Sequence, residues 1–411
     1  LAGIGTFFAW ALTIFFVCPI LSYIPYHPWG KSFVVRIGDD FGKRYLSLID
    51  KYKNMIILII SFTTLLFLYF AFQNTVNSDP LKHFSPNLRI SKDTRFLLKV
   101  FNGLGGPQIM IDSGKNEGIK NPEFLKKVDI FIESLENKDI VNKVTSITDT
   151  IKELHKKINK DKEEFYKIPD SRKKIAELLL LYSMGLPQGM DLNNEMSIDN
   201  RYIKLGLMWN IHDAERSLKE ISDIKKKAKH LGLNIVVTGK LTLYHRMVGY
   251  IVNSFVRSIS VALFLISLLL FFILKSWRLG LLSIFPNIVP LIYGAGLMTL
   301  ANISIDVGTS IVITVCLGIA VDDTIHFLTH FRDVLKNEND TIIALEKVFI
   351  HTAPALVFTT VILSISFGVF VFASFTPNIN FGILCSIILT MALITDLVYL
   401  PAILMAFKVK K

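Results

Sequence analysis

The sequence predicts a polytopic α-helical membrane bundle that carries one α+β domain outside the membrane. Three observations predict it. Of the 411 residues, 51% are hydrophobic and the mean hydropathy is +0.47, high for a water-soluble chain. Seven apolar runs, near residues 1–24, 54–73, 251–274, 279–301, 304–331, 349–374 and 379–407, are each long enough to cross ~30 Å of hydrocarbon at ~1.5 Å per residue. Between the second and third run, residues 74–250 hold 30 of the 45 Lys and Arg and 23 of the 34 Asp and Glu. Those charges are interleaved, so they read as a solvated surface and exclude a nucleic-acid patch.

The short connections 25–53, 275–278 and 332–348, with the tail 408–411, carry 14 Lys and Arg, whereas 302–303 and 375–378 carry none. The positive-inside rule makes the first set cytoplasmic and places the insert 74–250 on the outer side. Cys18, Cys316 and Cys385 all fall in apolar runs, where they pack as small hydrophobes. The chain starts at a Leu inside an apolar run, without the basic start of a signal peptide, so it is expected to begin within a longer protein.

The first run ends "ALTIFFVCPIL" (11–21) and the last "LITDLVYLPAIL" (393–404), each an apolar stretch, a Pro and aliphatics. Aligned on Pro19 and Pro401, the first run reads as the last helix of a preceding repeat, in the way many transporters are duplicated. Residues 25–53 form a cytoplasmic linker in which "WGKSFVVRIGDDFGKRYLSLIDKYKN" (29–54) has the basic amphipathic pattern of an interfacial helix, and 333–351 reads similarly.

Within 74–250 the periodicity predicts a strand at 107–112, a helix at 121–137 and a strand at 139–147. It then repeats strand, helix and strand at 200–211, 213–232 and 233–239, with Asp213 as helix cap. Two βαβ units separated by a mainly helical insertion, 148–199, make a small α+β domain. The stretch "LLLLYSMGLP" (178–187) could touch a greasy substrate, though the buried face of a helix explains it better. "GLGG" (103–106) is a Gly-rich turn before a strand, with no Lys-Ser or Lys-Thr after it to hold a phosphate. No Walker motif and no HExxH motif occurs, so ATP bound to this chain does not drive it, and neither a metal nor enzymatic activity is expected.

The run "GIAVDDTIHFLTHF" (318–331) raises the sharpest question. Asp322 lies about ten residues from Arg332, roughly 15 Å into the membrane. Two acids there cost on the order of 5–7 kcal/mol on the insertion scale. His326 is i+4 from Asp322 and i+3 from Asp323, so it can reach either, and His330 continues that face. Adjacent carboxylates in a low dielectric do not readily both ionise, so the pair is expected to hold a proton. Gly318, i−4 from Asp322, would let a neighbouring helix approach. Asp396 sits at similar depth in the last run, and matching the antiparallel span between them adds Thr359 and Thr360 as relay hydroxyls. Pro286 and Pro290 predict a kink in the run 279–301.

At these residues the sequence resembles the resistance-nodulation-division superfamily, in its branch of lipid exporters with the mycobacterial large membrane proteins (MMPL) and hopanoid transporters. "SWRLGLLSIFPNIVPLIYGAGLM" and "ISIDVGTSIVITVCLGIAVDDTIHFLTHFRD" are similar to that family's ninth and tenth helices, "LPQGMDLNNEMSIDNRYIKL" (186–205) to its external domain and "DLVYLPAIL" to its last helix. The resemblance implies a transporter of two similar halves, of which this chain is the second half plus the last helix of the first, with a ferredoxin-like external porter domain over a bundle formed by 251–407. It also implies proton-driven export of hydrophobic or amphipathic molecules from a bacterial inner membrane, with the relay acid at Asp322. Many members have Tyr where this chain has Asp323.

The proton gradient then stands in place of a cofactor, although carboxylates and hydroxyls suit sodium as well. The expected partners are the bilayer, a lipid-like substrate, the other half of the same protein or a second copy. Two other classes compete: a non-transporting lipid sensor, whose signalling would survive collapse of the proton gradient, and an ABC-type permease, which five spans after the insert and buried acids argue against.

Overall fold

The computed structural model describes residues 2–23, 33–101, 103, 105–186, 192–338 and 340–407. The readings that fall on 24–32, Leu104, 187–191 and the tail from 408 lie outside the described residues. The chain opens with α1 (Ala2–Leu12), which passes through a π turn at Thr13–Val17 into α2 (Cys18–Tyr23). This is the first predicted span, and its apolar stretch Phe7–Tyr23 is shorter than the others.

Next comes α3 (Phe33–Ala71), one unbroken 39-residue helix where a separate linker helix and a span at 54–73 were expected. Nothing in "DKYKNMII" breaks a helix, so the basic amphipathic half and the apolar half share one backbone. Nor is the linker's described part free on a membrane surface. Leu46 and Ile49 are buried, the Tyr45 ring packs 5.2 Å from that of Phe349, and Lys43 pairs with Glu346 at 3.3 Å.

The α+β unit follows the sequence reading closely. After α4 (Arg89–Phe101) come β1 (Gln108–Asp112), α5 (Pro122–Glu136), β2 (Val141–Thr145), α6 (Ile147–Ile158), α7 (Arg172–Gly185), β3 (Tyr202–Trp209), α8 (Ala214–His230) and β4 (Asn234–Thr238). The strands form one sheet in the order β2-β3-β1-β4, with every neighbouring pair antiparallel. Because β3 lies between β1 and β2, and β1 between β3 and β4, each expected βαβ unit is a split one. Alternate residues of β3 are buried, and α5 buries Leu125, Val128, Phe131, Ile132 and Leu135 on one helical stripe; both belong to one core that also takes in Trp209 and Ile224. Asp213 caps α8 by accepting from the Arg216 N–H at 2.9 Å. In α7, Leu178 and Leu179 are buried while Leu180 and Leu181 are exposed, so only part of that apolar run is core.

From Gly239 the chain enters α9 (Lys240–Leu274), 35 residues and therefore ~52 Å long, which projects well beyond the predicted 251–274. It joins the sheet to the bundle without a flexible linker. The bundle continues with α10 (Trp277–Leu282), α11 (Ile284–Leu300), α12 (Val307–Glu338), α13 (Thr341–His351), α14 (Ala353–Gly368) and α15 (Thr376–Ile394), which passes through a second π turn, Thr395–Tyr399, into α16 (Leu400–Ala406). Six helical segments among the described residues are long and apolar enough to cross a membrane: 42–71, 240–274, 277–300, 307–338, 353–372 and 376–406. At the junction with the α+β unit, the Ala214 N–H donates to the Ser78 carbonyl (3.1 Å) and to Asn77 Oδ1 (2.9 Å), and the Asn77 N–H donates to the Ile305 carbonyl (3.1 Å).

Candidate functional site in the membrane bundle

Consecutive residues on a helix point about 100° apart, and at the centre of α12 three consecutive polar residues therefore face three ways. Asp322 points out of the bundle with His326, whose Nε2 lies 3.6 Å from Asp322 Oδ1; their side chains are 72% and 66% exposed. Asp323 is buried toward α14, where Thr360 Oγ1 lies 3.4 Å from its Oδ2, a long contact. Thr324 is fully buried and donates to Asp396 Oδ1 at 2.8 Å, with Asn287 Oδ1 at 3.3 Å from the same hydroxyl.

The expected Asp322–Asp323–His326 group is therefore divided. His326 pairs with Asp322 alone, and Asp323 belongs with the buried set. Thr360 joins Asp323 as expected, but Thr359 does not: its hydroxyl is spent on the Ala355 and Leu356 carbonyls of its own helix, both at 3.0 Å. Gly318 was expected to admit a neighbouring helix; among the described residues no other element comes within 4 Å of where its Cβ would be. Gly318, Asp322 and His326 instead form an exposed stripe along α12. His330, further along, binds Thr352 Oγ1 through Nδ1 at 2.6 Å.

Two prolines build the floor of the buried set. Pro290 has no N–H to give the Pro286 carbonyl one turn back, and Thr395 Oγ1 lies 3.3 Å from that carbonyl. Likewise Pro401 leaves the Leu397 carbonyl without its helical donor, and the Tyr45 hydroxyl donates to it at 3.3 Å. The helix relieves the crowding ahead of Pro401 by widening into the π turn Thr395–Tyr399 that carries Asp396. A π turn occupies the same place relative to Pro19, at Thr13–Val17, where Ile14 stands at the position matching Asp396. The predicted kink in 279–301 is a break at Ser283, between α10 and α11, and the Asn287 amide donates back to the Ser283 carbonyl at 2.8 Å.

Asn287, Thr324 and Thr395 were not among the residues singled out from sequence. Their signal was present: Asn287 lies between two prolines in an apolar run, and Thr324 directly follows the acidic pair. Asp396 Oδ2 is buried and has no hydrogen-bond partner among the described residues. An ionised carboxylate there would hold its charge on few hydrogen bonds in an apolar interior, whereas a proton on Oδ2 removes that charge. Among the described residues no group of His, Cys, Asp and Glu is placed to hold a metal ion.

A bundle of long apolar helices, with acids buried among hydroxyls and an amide, defines a multi-pass membrane protein. The chain belongs to the MMPL family, whose model matches residues 123–408. It is also similar to a protein of Methanocaldococcus jannaschii whose name assigns it to a membrane and says nothing of its activity, with 21% identity over 302 residues, 71% of this chain and 73% of that one.

Proposed function

We propose that the protein is a carrier, with no enzymatic activity, that uses a proton gradient to export hydrophobic or amphipathic, lipid-like molecules. The observation that carries this reading is Asp396: buried in the bundle, held through one oxygen by Thr324, with the other oxygen unpartnered among the described residues. Protonation there, beside Asp323 and Thr360, would change which packing of α11, α12 and α15 is preferred, because a charge that must be solvated becomes a neutral group that need not be.

The exposed Asp322–His326 stripe belongs to the same relay. Lipid is a poor neighbour for it, so a second helical bundle covers it, either another half of the same protein or a second copy. The strand order β2-β3-β1-β4 with two split βαβ units supports a ferredoxin-like porter domain over residues 74–250. The unbroken α9 would transmit bundle movement to it. In this reading the α+β unit faces outward from a bacterial cytoplasmic membrane, and the basic connections at the other end of the spans face the cytoplasm.

The test is proton-coupled movement of a fluorescent phospholipid in proteoliposomes containing the purified protein in its native assembly. Asp396→Asn is expected to abolish the gradient-dependent component, and Asp323→Asn to reduce it. Wild-type rates in both, at normal reconstitution, would refute the relay.

A further inference from the structure

A feature of the sequence outside this site is "RISKDTRFLLKVF", helix α4, which lies between the end of α3 and the first strand. Among the described residues a narrow strip holds it to the rest of the molecule: Ser91 is buried, and Thr94 and Leu98, one and two turns on, are half-buried. On one flank of that strip Ile90 (55% exposed), Leu97 (40%), Val100 (56%) and Phe101 (53%) are open. These positions fall within one arc of the helix at 100° per residue, an arc that also holds Asp93, paired with Arg89 at 3.6 Å. On the opposite flank stand Lys92, Arg95 and Lys99, all exposed and making no ion pair among the described residues.

The start of α4 is tied to the bundle and its far end to the sheet. Just before it, Phe84 bridges Phe375 and the Ser85 N–H donates to the Ser374 carbonyl at 3.1 Å, so the chain is tied to the connection between α14 and α15. At its far end the Phe101 carbonyl accepts from the side-chain amide of Asn142, next to Val141. Val141 pairs with Trp209 at the end of β3, four residues before the α8 cap whose first N–H reaches Ser78. Tied at its start to the bundle and at its end to the sheet, this ~20 Å helix spans the junction between the two. With an open apolar flank, a basic opposite flank and that placement, it has the composition of a helix lying in a bilayer interface.

We infer that α4 is a membrane-surface helix, with Ile90, Leu97, Val100 and Phe101 seated among acyl chains and Lys92, Arg95 and Lys99 on anionic phospholipid headgroups. It thereby holds the α+β unit down on the bilayer. This does not depend on the transport reading, and it commits to lipid as the occupant. A protein covering the same flank is the competing outcome.

The experiment places an environment-sensitive NBD label on Val100→Cys in a full-length Cys18→Ser background, since Cys18 is exposed while Cys316 and Cys385 are buried. The protein is reconstituted into phosphatidylcholine vesicles with and without phosphatidylglycerol, using acyl chains that are either plain or brominated. The expected result is blue-shifted emission, quenched by the brominated chains, with phosphatidylglycerol deepening the quenching at low salt and less so at high salt. Replacing Lys92, Arg95 and Lys99 with Gln is expected to remove the phosphatidylglycerol dependence and leave quenching in phosphatidylcholine. Emission as in water would overturn the inference. Blue-shifted emission without bromine quenching would overturn it too, because protein and not lipid then covers the flank. Quenching indifferent to phosphatidylglycerol in the unsubstituted helix would overturn the headgroup assignment.

Discussion

Thr324 on α12 donates its one hydroxyl proton to Asp396 on the π turn between α15 and α16. That bond joins two helices through a carboxylate whose second oxygen has no partner among the described residues. Replacing Thr324 with Val keeps the shape and removes the donor. A hydrogen bond of this kind is worth ~1–2 kcal/mol, so gradient-driven transport by Thr324→Val is expected to fall roughly fivefold to thirtyfold at a pH near 7. Thr324→Ser should retain most of the activity. The check is initial rates in vesicles; equal rates for the Val and Ser variants would remove the hydroxyl from the mechanism.

Thr395, the neighbour of Asp396, has its hydroxyl 2.8 Å from the Ala392 carbonyl of its own helix and 3.3 Å from the Pro286 carbonyl that Pro290 leaves without a donor. Thr395→Val removes the one hydroxyl that these two carbonyls share. The expected cost is ~1–3 kcal/mol, read as a lower midpoint of thermal inactivation in detergent, while Pro290→Ala with Thr395→Val should recover part of it by restoring the helical N–H. Additive losses in the double variant would show that the two residues act independently.

The strands and helices of the α+β unit were legible because their apolar periods switch cleanly between two and 3.6, and because Asn121 and Asp213 stand where caps belong. Less legible were the helix limits at the membrane surface. Nothing in residues 240–250 stops a helix, so α9 continues through a polar segment that hydropathy excludes from a span. The depth of Asp322, Asp323 and Asp396 could be counted from basic residues and span ends. Which face each occupies could not, because adjacent acids on a helix diverge by about 100° and only the packing of α14 and α15 decides which one is buried. Thr359 and Thr360 differ for the same reason: matched depth selects both, and helix rotation keeps one.

Arg201 holds Asp112 by two contacts, Nε to Oδ1 at 2.8 Å and Nη2 to Oδ2 at 2.9 Å, across the register that pairs the ends of β1 and β3. The hydrogen bond from Arg201 keeps the Asp112 carboxyl below its ordinary range, against a smaller opposing effect of desolvation. A carboxylate with a depressed folded-state pKa stabilises the fold above the unfolded-state value of ~3.9 and loses that contribution as pH falls through the folded-state value. Amide protection of β1 and β3 should therefore fall more steeply below pH ~4 in the wild type than in Asp112→Asn. Identical acid limbs would show that the pair contributes nothing to sheet stability.

The sheet and the bundle meet at Gly239, whose φ of +108° starts α9. An L side chain there is strained, and its Cβ would lie 3.1 Å from the backbone nitrogen of Gln108 on β1. Backbone cannot move aside as a flexible side chain can, so Gly239→Ala is expected to cost ~1–3 kcal/mol, with the loss falling on the β1–β4 edge and the first turn of α9. Gly185, at the end of α7 with no atom within 4 Å of its Cβ position among the described residues, is the control: Gly185→Ala should be neutral or slightly stabilising. Limited proteolysis of the membrane-embedded protein separates the cases, with faster cleavage near residue 239 in the Gly239→Ala variant alone. Equal cleavage in both variants would mean that the joint between sheet and bundle tolerates a change of backbone path, and that α9 is not the rigid connection its length suggests.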